Sequence, residues 1–340
     1  MESFATIDQT RPDQLLLSLV MPSIPDDINT LLANVNIYFD YLPIKNIYII
    51  GPDTIKERIT MQNDPRLIFM NENEFVDVAR IRELYSLRTD KNLKRAGWYI
   101  QQFIKIQFSR FTNDEYYLIW DSDTIPLKQI KMFSEDSRPF FDMKTEFHPP
   151  YFDTIAKLFP DVKKVINKSF ISEHMIINSN FMRALINEIE ANSSLQGKNF
   201  QKRIINAVDC ENLPRSGFSE FETYGNYVMT RYPESYILRD WHSLRTHVKF
   251  YRNIDELNER QRKWLATFYD AVTIERFQKL AFFAPLIQSN LFQKKFAPQS
   301  LNDVDDYLII KILLWLRMLP SRLIPEKIKL VIKRILHKKI

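Results

Sequence analysis

Two aspartates one residue apart, Asp121 and Asp123, interrupt the run from Tyr116 to Leu127, YYLIWDSDTIPL. Side chains alternate across a strand, so an extended D-x-D aims both carboxylates to one side and Ser122 to the other. Like charges held together are costly unless a cation or a donor cluster neutralises them. A hard divalent ion, Mg2+ or Mn2+, does so with one or two carboxylates and the phosphates of a nucleotide. Turn chemistry accounts for the same letters, because Asp and Ser favour turns and Pro126 stops strand pairing.

The elements that must position this pair are legible as alternating apolar runs and helix-length segments. Residues 14–22 form an apolar run ended by Pro22, and a helical pattern follows to about Tyr41. Further strand-like runs cover 46–50, closed by Gly51-Pro52, and 66–70. A helix is expected near 74–88, then another from Trp98 to about Phe111. In the latter, Trp98, Phe103, Ile106 and Phe111 make the buried stripe, with Gln101, Gln102 and Lys105 partly on another face. The aspartates end the fourth strand. The pattern predicts an α/β fold, a Rossmann-type mainly parallel sheet flanked by helices. Open parallel sheets place ligands at the carboxyl ends of their strands.

The second half reads as a strand at His174–Asn178, a helix capped near Ser179 or Asn180, and a helix within GFSEFETYGNYVMTRY. The stretch DWHSLRTH carries His242 and His247, and a charged helical region is expected from about Ile254 to Ala281.

The chain of 340 residues is 45% hydrophobic and 13% aromatic, which excludes a disordered protein. Cys210 is the only cysteine, so an intramolecular disulfide and a zinc ribbon are both excluded. The N-terminal MESFATIDQTRPDQ lacks the basic start and apolar core of a signal peptide, which gives a cytoplasmic expectation. The net charge of +5 is divided unevenly: residues 307–340 carry +8 and the remainder −3. The basic excess belongs to the tail, not to a nucleic-acid-binding body. In that tail Ile328, Val331, Ile332 and Ile335 follow helical spacing between lysines and arginines, the pattern of an amphipathic helix on an anionic membrane surface. A helix docked on a protein core fits the same spacing.

RAGWYIQQFIKI followed by YYLIWDSDTIPL, with FISEHMIIN and GFSEFETYGNYV downstream, resembles the DUF6492 group of bacterial GT-A-like glycosyltransferases over about residues 13–255. The resemblance implies a catalytic domain over 1–255, with a donor half of about 13–127 and an acceptor half of about 128–255. A helical extension and linker (256–306) and the tail (307–340) follow it. It further implies a nucleotide-sugar donor, a divalent metal (Mn2+ or Mg2+) and a glycan acceptor; the basic tail adds the expectation of a lipid-linked acceptor at the inner face of the cytoplasmic membrane. Asp121 and Asp123 would hold the metal, with His242 completing the shell. Arg95 or Lys105 would contact the diphosphate, and Gln101 or Gln102 the donor. His174 would lie toward the acceptor, and Glu220 or Glu222 would take its proton. If GFSEFET is helical, the two glutamates diverge, and the first-turn dipole accounts for them instead.

Two rivals use the same residues. A haloacid-dehalogenase-type phosphatase also begins with D-x-D after a hydrophobic strand, but usually has Thr two residues on, where this chain has Ile125. A membrane-associated scaffold could keep the fold without the chemistry.

Overall fold

The computed structural model describes residues 15–245, 250–252, 257–274, 279–281, 284–295 and 297–301. The basic tail and His247 lie outside the described residues. Two compact units are present. The first combines the chain up to Ser122 with Gln129–Trp241, and the second combines Asp123–Lys128 with the described residues from His242 onward.

The first unit is built on a five-stranded sheet of β1 (Leu17–Pro22), β2 (Ile44–Gly51), β3 (Leu67–Asn71), β4 (Tyr116–Trp120) and β7 (His174–Asn178), in the order β3-β2-β1-β4-β7. All its pairings are parallel except β4 with β7, which run antiparallel. The expected mixed α/β architecture with a mainly parallel sheet is therefore observed. Every residue of β1 is buried, as a central strand covered on both faces requires. A separate parallel pair joins β6 (Phe140–Met143) to β8 (Ile237–Asp240).

The helices connecting the strands follow local capping chemistry. The pattern read as one helix to Tyr41 is two, α1 (Ile28–Ala33) and α2 (Val35–Tyr41), divided at Asn34, whose side chain turns back onto the Thr30 carbonyl. Between β2 and β3 lies α3 (Lys56–Thr60). The helix expected from 74 begins at Val78, because Asp77 accepts from the Arg80 amide and ends the preceding turn; it runs as α4 to Ser86. Next comes α5 (Ala96–Gln107), with α6 (Pro149–Leu158) further along the chain. After β7, α7 (Ser179–Ala191) is capped by Asn178, not by Ser179 or Asn180. α8 (Phe200–Ala207) and α9 (Glu220–Arg231), capped by Asn199 and Ser219, complete the unit.

The buried face of α5 differs from the expected stripe. Phe103 and Ile106 are fully buried, but Phe111 is 44% exposed and Trp98 half-buried, while Gln102 and Lys105 are buried. A helix enclosed by a sheet and other helices buries more than one stripe, so polar groups on its flanks enter the interior and need partners.

The second unit contains a small sheet in the order β5-β10-β9, formed by β5 (Thr124–Pro126), β9 (Ser243–Leu244) and β10 (Ala271–Thr273). Among the described residues its helices are α10 (Glu259–Ala266), α11 (Ala284–Ile287) and α12 (Asn290–Lys295). The continuous helical region expected over 254–281 is thus corrected: the helix stops at Ala266, and Ala271-Val272-Thr273 pair as a strand on both sides. Val272 is buried there, and β-branched residues favour the extended backbone.

Candidate functional site

Strand order reverses beside β1, which has β2 on one side and β4 on the other, both parallel to it. The crevice outside the carboxyl ends of such strands is the usual ligand position of an open α/β sheet. Asp121 follows β4 directly at this edge. Its amide donates to the Glu173 carbonyl at 2.9 Å, and Glu173 sits in the left-handed region at φ 64°. A non-glycine residue in that conformation costs about 1–3 kcal/mol and persists only when its surroundings fix it. Here the buried Glu173 carboxylate accepts from Lys144 Nζ at 2.8 Å and from Trp241 Nε1 at 3.0 Å.

The Asp121 carboxylate is fixed from below. Lys105 Nζ, on α5, donates to Asp121 Oδ1 and to Glu220 Oε1, each at 2.8 Å. The Lys105 side chain is 9% exposed, that of Glu220 7%, and that of Asp121 37%. Burial opposes the ammonium charge, but attraction to the two carboxylates outweighs it and holds the lysine pKa above its ordinary value. Gln102, one turn earlier, accepts the Glu220 amide on Oε1 at 2.9 Å. Lys105, expected near the diphosphate, binds Asp121 and Glu220 here. Gln102 orders the start of α9, and Gln101 is half-buried.

The two glutamates diverge, as the helical alternative requires. Glu220 is the first residue of α9, where the dipole favours a carboxylate. Glu222 is 2% exposed and accepts from Ser169 Oγ at 2.6 Å, the Phe170 amide at 3.3 Å and Asn226 Nδ2 at 3.0 Å. Burial raises the Glu222 pKa despite these bonds. Both carboxylates are engaged inside the unit, which is a bracing geometry and not that of an open proton acceptor.

His174 is also interior. Nε2 meets Asp142 Oδ2 at 2.8 Å, Nδ1 faces the Ser172 carbonyl at 3.0 Å, and the ring packs 4.8 Å from Trp120 and 4.4 Å from Trp241. Asp142 accepts two further bonds at 2.6 Å from Arg239 Nε and Nη2. Burial raises the Asp142 pKa, but the bonds from Arg239 and His174 overcome this and hold it below the usual carboxyl range. His174, expected toward the acceptor, is buried and fastens β7 to the β6–β8 pair.

The D-x-D is not extended: β4 ends at Trp120, and Ser122 and Asp123 form a turn. The same-side alternation expected for a strand therefore does not apply. Asp123 opens the second unit, with Ile274 donating to its carbonyl at 3.2 Å. In that unit His242 is exposed, with Nδ1 3.7 Å from Asp270 Oδ2 and its ring beside Phe268. Among the described residues no group of three or more His, Cys, Asp and Glu side chains is gathered to hold a metal ion. Of the three expected ligands, Asp121 belongs to the first unit and Asp123 and His242 to the second. What fits a divalent ion is the half-exposed Asp121, one oxygen of which is taken by Lys105. Mg2+ ordinarily binds through one or two carboxylates and completes its shell with water and phosphate oxygens.

Residues that pattern reading did not single out are Glu173, Asp142 and Arg239. Glu173 stands beside the noted His174, but nothing in the letters SEH announces a left-handed backbone.

The chain belongs to DUF6492, a family of unknown function, whose model matches residues 26–311. No curated protein matches it. Among solved structures, mouse xyloside xylosyltransferase 1 in its apo form is similar at 13% identity and a TM-score of 0.36, over 68% of this chain and 89% of that one. The galactosyltransferase LgtC with donor and acceptor sugar analogues is similar at 9% identity and a TM-score of 0.35, over 56% and 70%. The mannosyltransferase Ktr4p from S. cerevisiae is similar at 9% and 0.35, over 58% and 67%. These likenesses are too distant to transfer residues or activity.

Replacing Lys105 by Met leaves two carboxylates without their shared cation, and a loss of about 3–5 kcal/mol is expected in urea unfolding. Adding Glu220→Gln is expected to recover part of it, since the remaining Asp121 reaches water. For Asp142 the depressed folded pKa means that its stabilisation is present above the unfolded value of about 3.9 and is lost as pH falls through the folded one. Asp142→Asn should therefore be less stable at pH 7 and show a shallower loss of stability in acid, read by unfolding midpoints from pH 7 to 2.

Proposed function

We propose that the protein is a glycosyltransferase of GT-A type that moves a sugar from a nucleotide-sugar donor to a surface polysaccharide or lipopolysaccharide acceptor carried on a lipid. The observation that carries this reading is Asp121 at the carboxyl end of β4, where the strand order reverses, braced by a buried lysine. The sequence resemblance around RAGWYIQQ and the D-x-D supports it.

In this reading Asp121 and Asp123 are the metal-binding pair. A bound Mn2+ or Mg2+ would supply neutralisation of the charge developing on the departing nucleoside diphosphate. Lys105 keeps the Asp121 carboxylate in one orientation, and Glu220 balances the lysine. The antiparallel β4–β7 pairing and the Asp121 amide bond to Glu173 fix the backbone from which that carboxylate projects. The phosphatase rival is less favoured, since its D-x-D ordinarily lies near the start of the core, whereas here three strands precede it.

Calorimetry with uridine and guanosine diphosphates, with and without Mn2+, tests the donor site, followed by transfer and hydrolysis assays on a panel of nucleotide sugars. Binding should require the metal, and Asp121→Ala and Asp123→Ala should each weaken it at least ~10-fold, a loss of about 1.4 kcal/mol. Full activity in either variant, or no nucleotide binding by the intact protein, overturns the assignment.

The basic tail is proposed to hold the protein at the inner face of the cytoplasmic membrane. Among the described residues no helix is long and apolar enough to cross a membrane. Truncation after Asp306 should weaken sedimentation with anionic vesicles, most at low salt. Unchanged partitioning counts against the tail.

A further inference from the structure

Phe147 keeps 60% of its surface exposed, the most of any described phenylalanine. It directly precedes His148, the cap of α6, and its ring stacks against Phe152 on that helix, with centroids 5.6 Å apart and planes 30° from parallel. A hydrophobic residue before the cap that packs on the fourth helical residue is a staple, which fixes the entry of the chain. The staple explains the contact with Phe152, which an aliphatic side chain makes equally well. It does not explain an aromatic ring left largely in water.

The pair is stiff. Pro149 and Pro150 occupy the first two positions of α6, where their fixed φ restricts the loop before it. Lys164 Nζ lies 5.7 Å from the Phe147 ring centre and 5.4 Å from that of Phe152, and it is tethered by the carbonyls of Ile166, at 2.6 Å, and Lys168. A surface ordered before its ligand arrives loses less freedom on binding.

The loop that carries Phe147 is anchored at both ends to groups that brace Asp121. At its start Lys144 binds Glu173, whose carbonyl holds the Asp121 amide. At its end His148 Nε2 meets the Ser216 carbonyl at 2.7 Å. Ser216 is in turn held by Arg95, whose guanidinium packs 3.9 Å over the Trp98 ring and donates to Ser216 Oγ. Shortly after Ser216 come Ser219, the cap of α9, and Glu220, the partner of Lys105. From Lys144 to Phe147 the chain spans at most about 11 Å.

A pyranose ring presents C–H groups on its faces and hydroxyls around its rim. The C–H face is drawn to the negative face of an aromatic ring, while the hydroxyls stay in water. Glu146 and Asp153, sequence neighbours of the pair, are exposed, a disposition that an anionic membrane surface repels and a neutral sugar tolerates. We propose that Phe147, stacked on Phe152 and steadied by Lys164, is the platform on which a pyranose ring of the acceptor stacks. The assignment to the acceptor rests on the transferase reading; the stacking surface stands on its own geometry.

The test is saturation-transfer NMR of the full chain with the methyl glycosides of glucose, galactose, mannose and N-acetylglucosamine. At least one should bind through the C–H protons of one ring face, with affinity lowered ~5-fold or more in Phe147→Leu and recovered in Phe147→Trp. Leucine preserves the staple, so Phe147→Leu should melt close to the parent, and its loss of sugar binding is then the loss of the aromatic face. The inference is overturned if none of the four glycosides binds, if Phe147→Leu binds them as the parent does, or if Phe147→Leu weakens Mn2+-dependent nucleotide binding to the same degree. It is also overturned if Phe147→Ser reduces sedimentation with anionic vesicles and leaves glycoside binding intact, which makes the face a membrane contact. If no nucleotide binds while glycoside binding still depends on Phe147, the transferase reading fails and the sugar platform stands.

Discussion

A buried ammonium ion shared between two carboxylates is the constraint around which the first unit is arranged. Lys105 cannot be enclosed without compensation, and the two acids that compensate it arrive from different parts of the chain, Asp121 after β4 and Glu220 at the start of α9. One interaction therefore ties α5, the central sheet and α9 together. It also leaves one net negative charge, on the side where Asp121 is still reached by solvent. A carboxylate held in this way is preorganised to meet a cation, because the cost of orienting it is met during folding.

A second charged group does similar work behind the first. Asp142 gathers Arg239 and His174, linking β6, β8 and β7, and Glu173 binds Lys144 and Trp241. The backbone of Glu173 then holds the amide of Asp121. Bracing of a first carboxylate by further hydrogen-bonded groups keeps a site within the narrow geometric tolerance that binding chemistry needs.

The parallel strands, the helix containing Lys105 and the aspartates at the end of the fourth strand were all legible in the letters. Apolar runs of β-type residues and capping residues act over a few positions, so local reading came within one or two residues, as at α7, expected to be capped at Ser179 or Asn180 and capped by Asn178. Where local reading failed, a longer-range influence prevailed. The helix expected through Ala281 gave way to a strand, because Ala271–Thr273 has two strands to pair with. The D-x-D expected to be extended became a turn, since the sheet ends at Trp120.

By itself the sequence determined the order of the five strands of the main sheet along the chain, the uneven charge of body and tail, and the position of Asp121 at the edge where ligands meet a parallel sheet. These follow from side-chain periodicity and from the chemistry of neighbouring residues. Only the tertiary structure decided what each polar side chain does. Lys105, Glu220, Glu222 and His174 were all visible as chemically capable residues, and each proved to be engaged by a partner distant in sequence. Their pairing depends on which interior they enter, and a buried charge takes the nearest compensating group whatever its place in the chain.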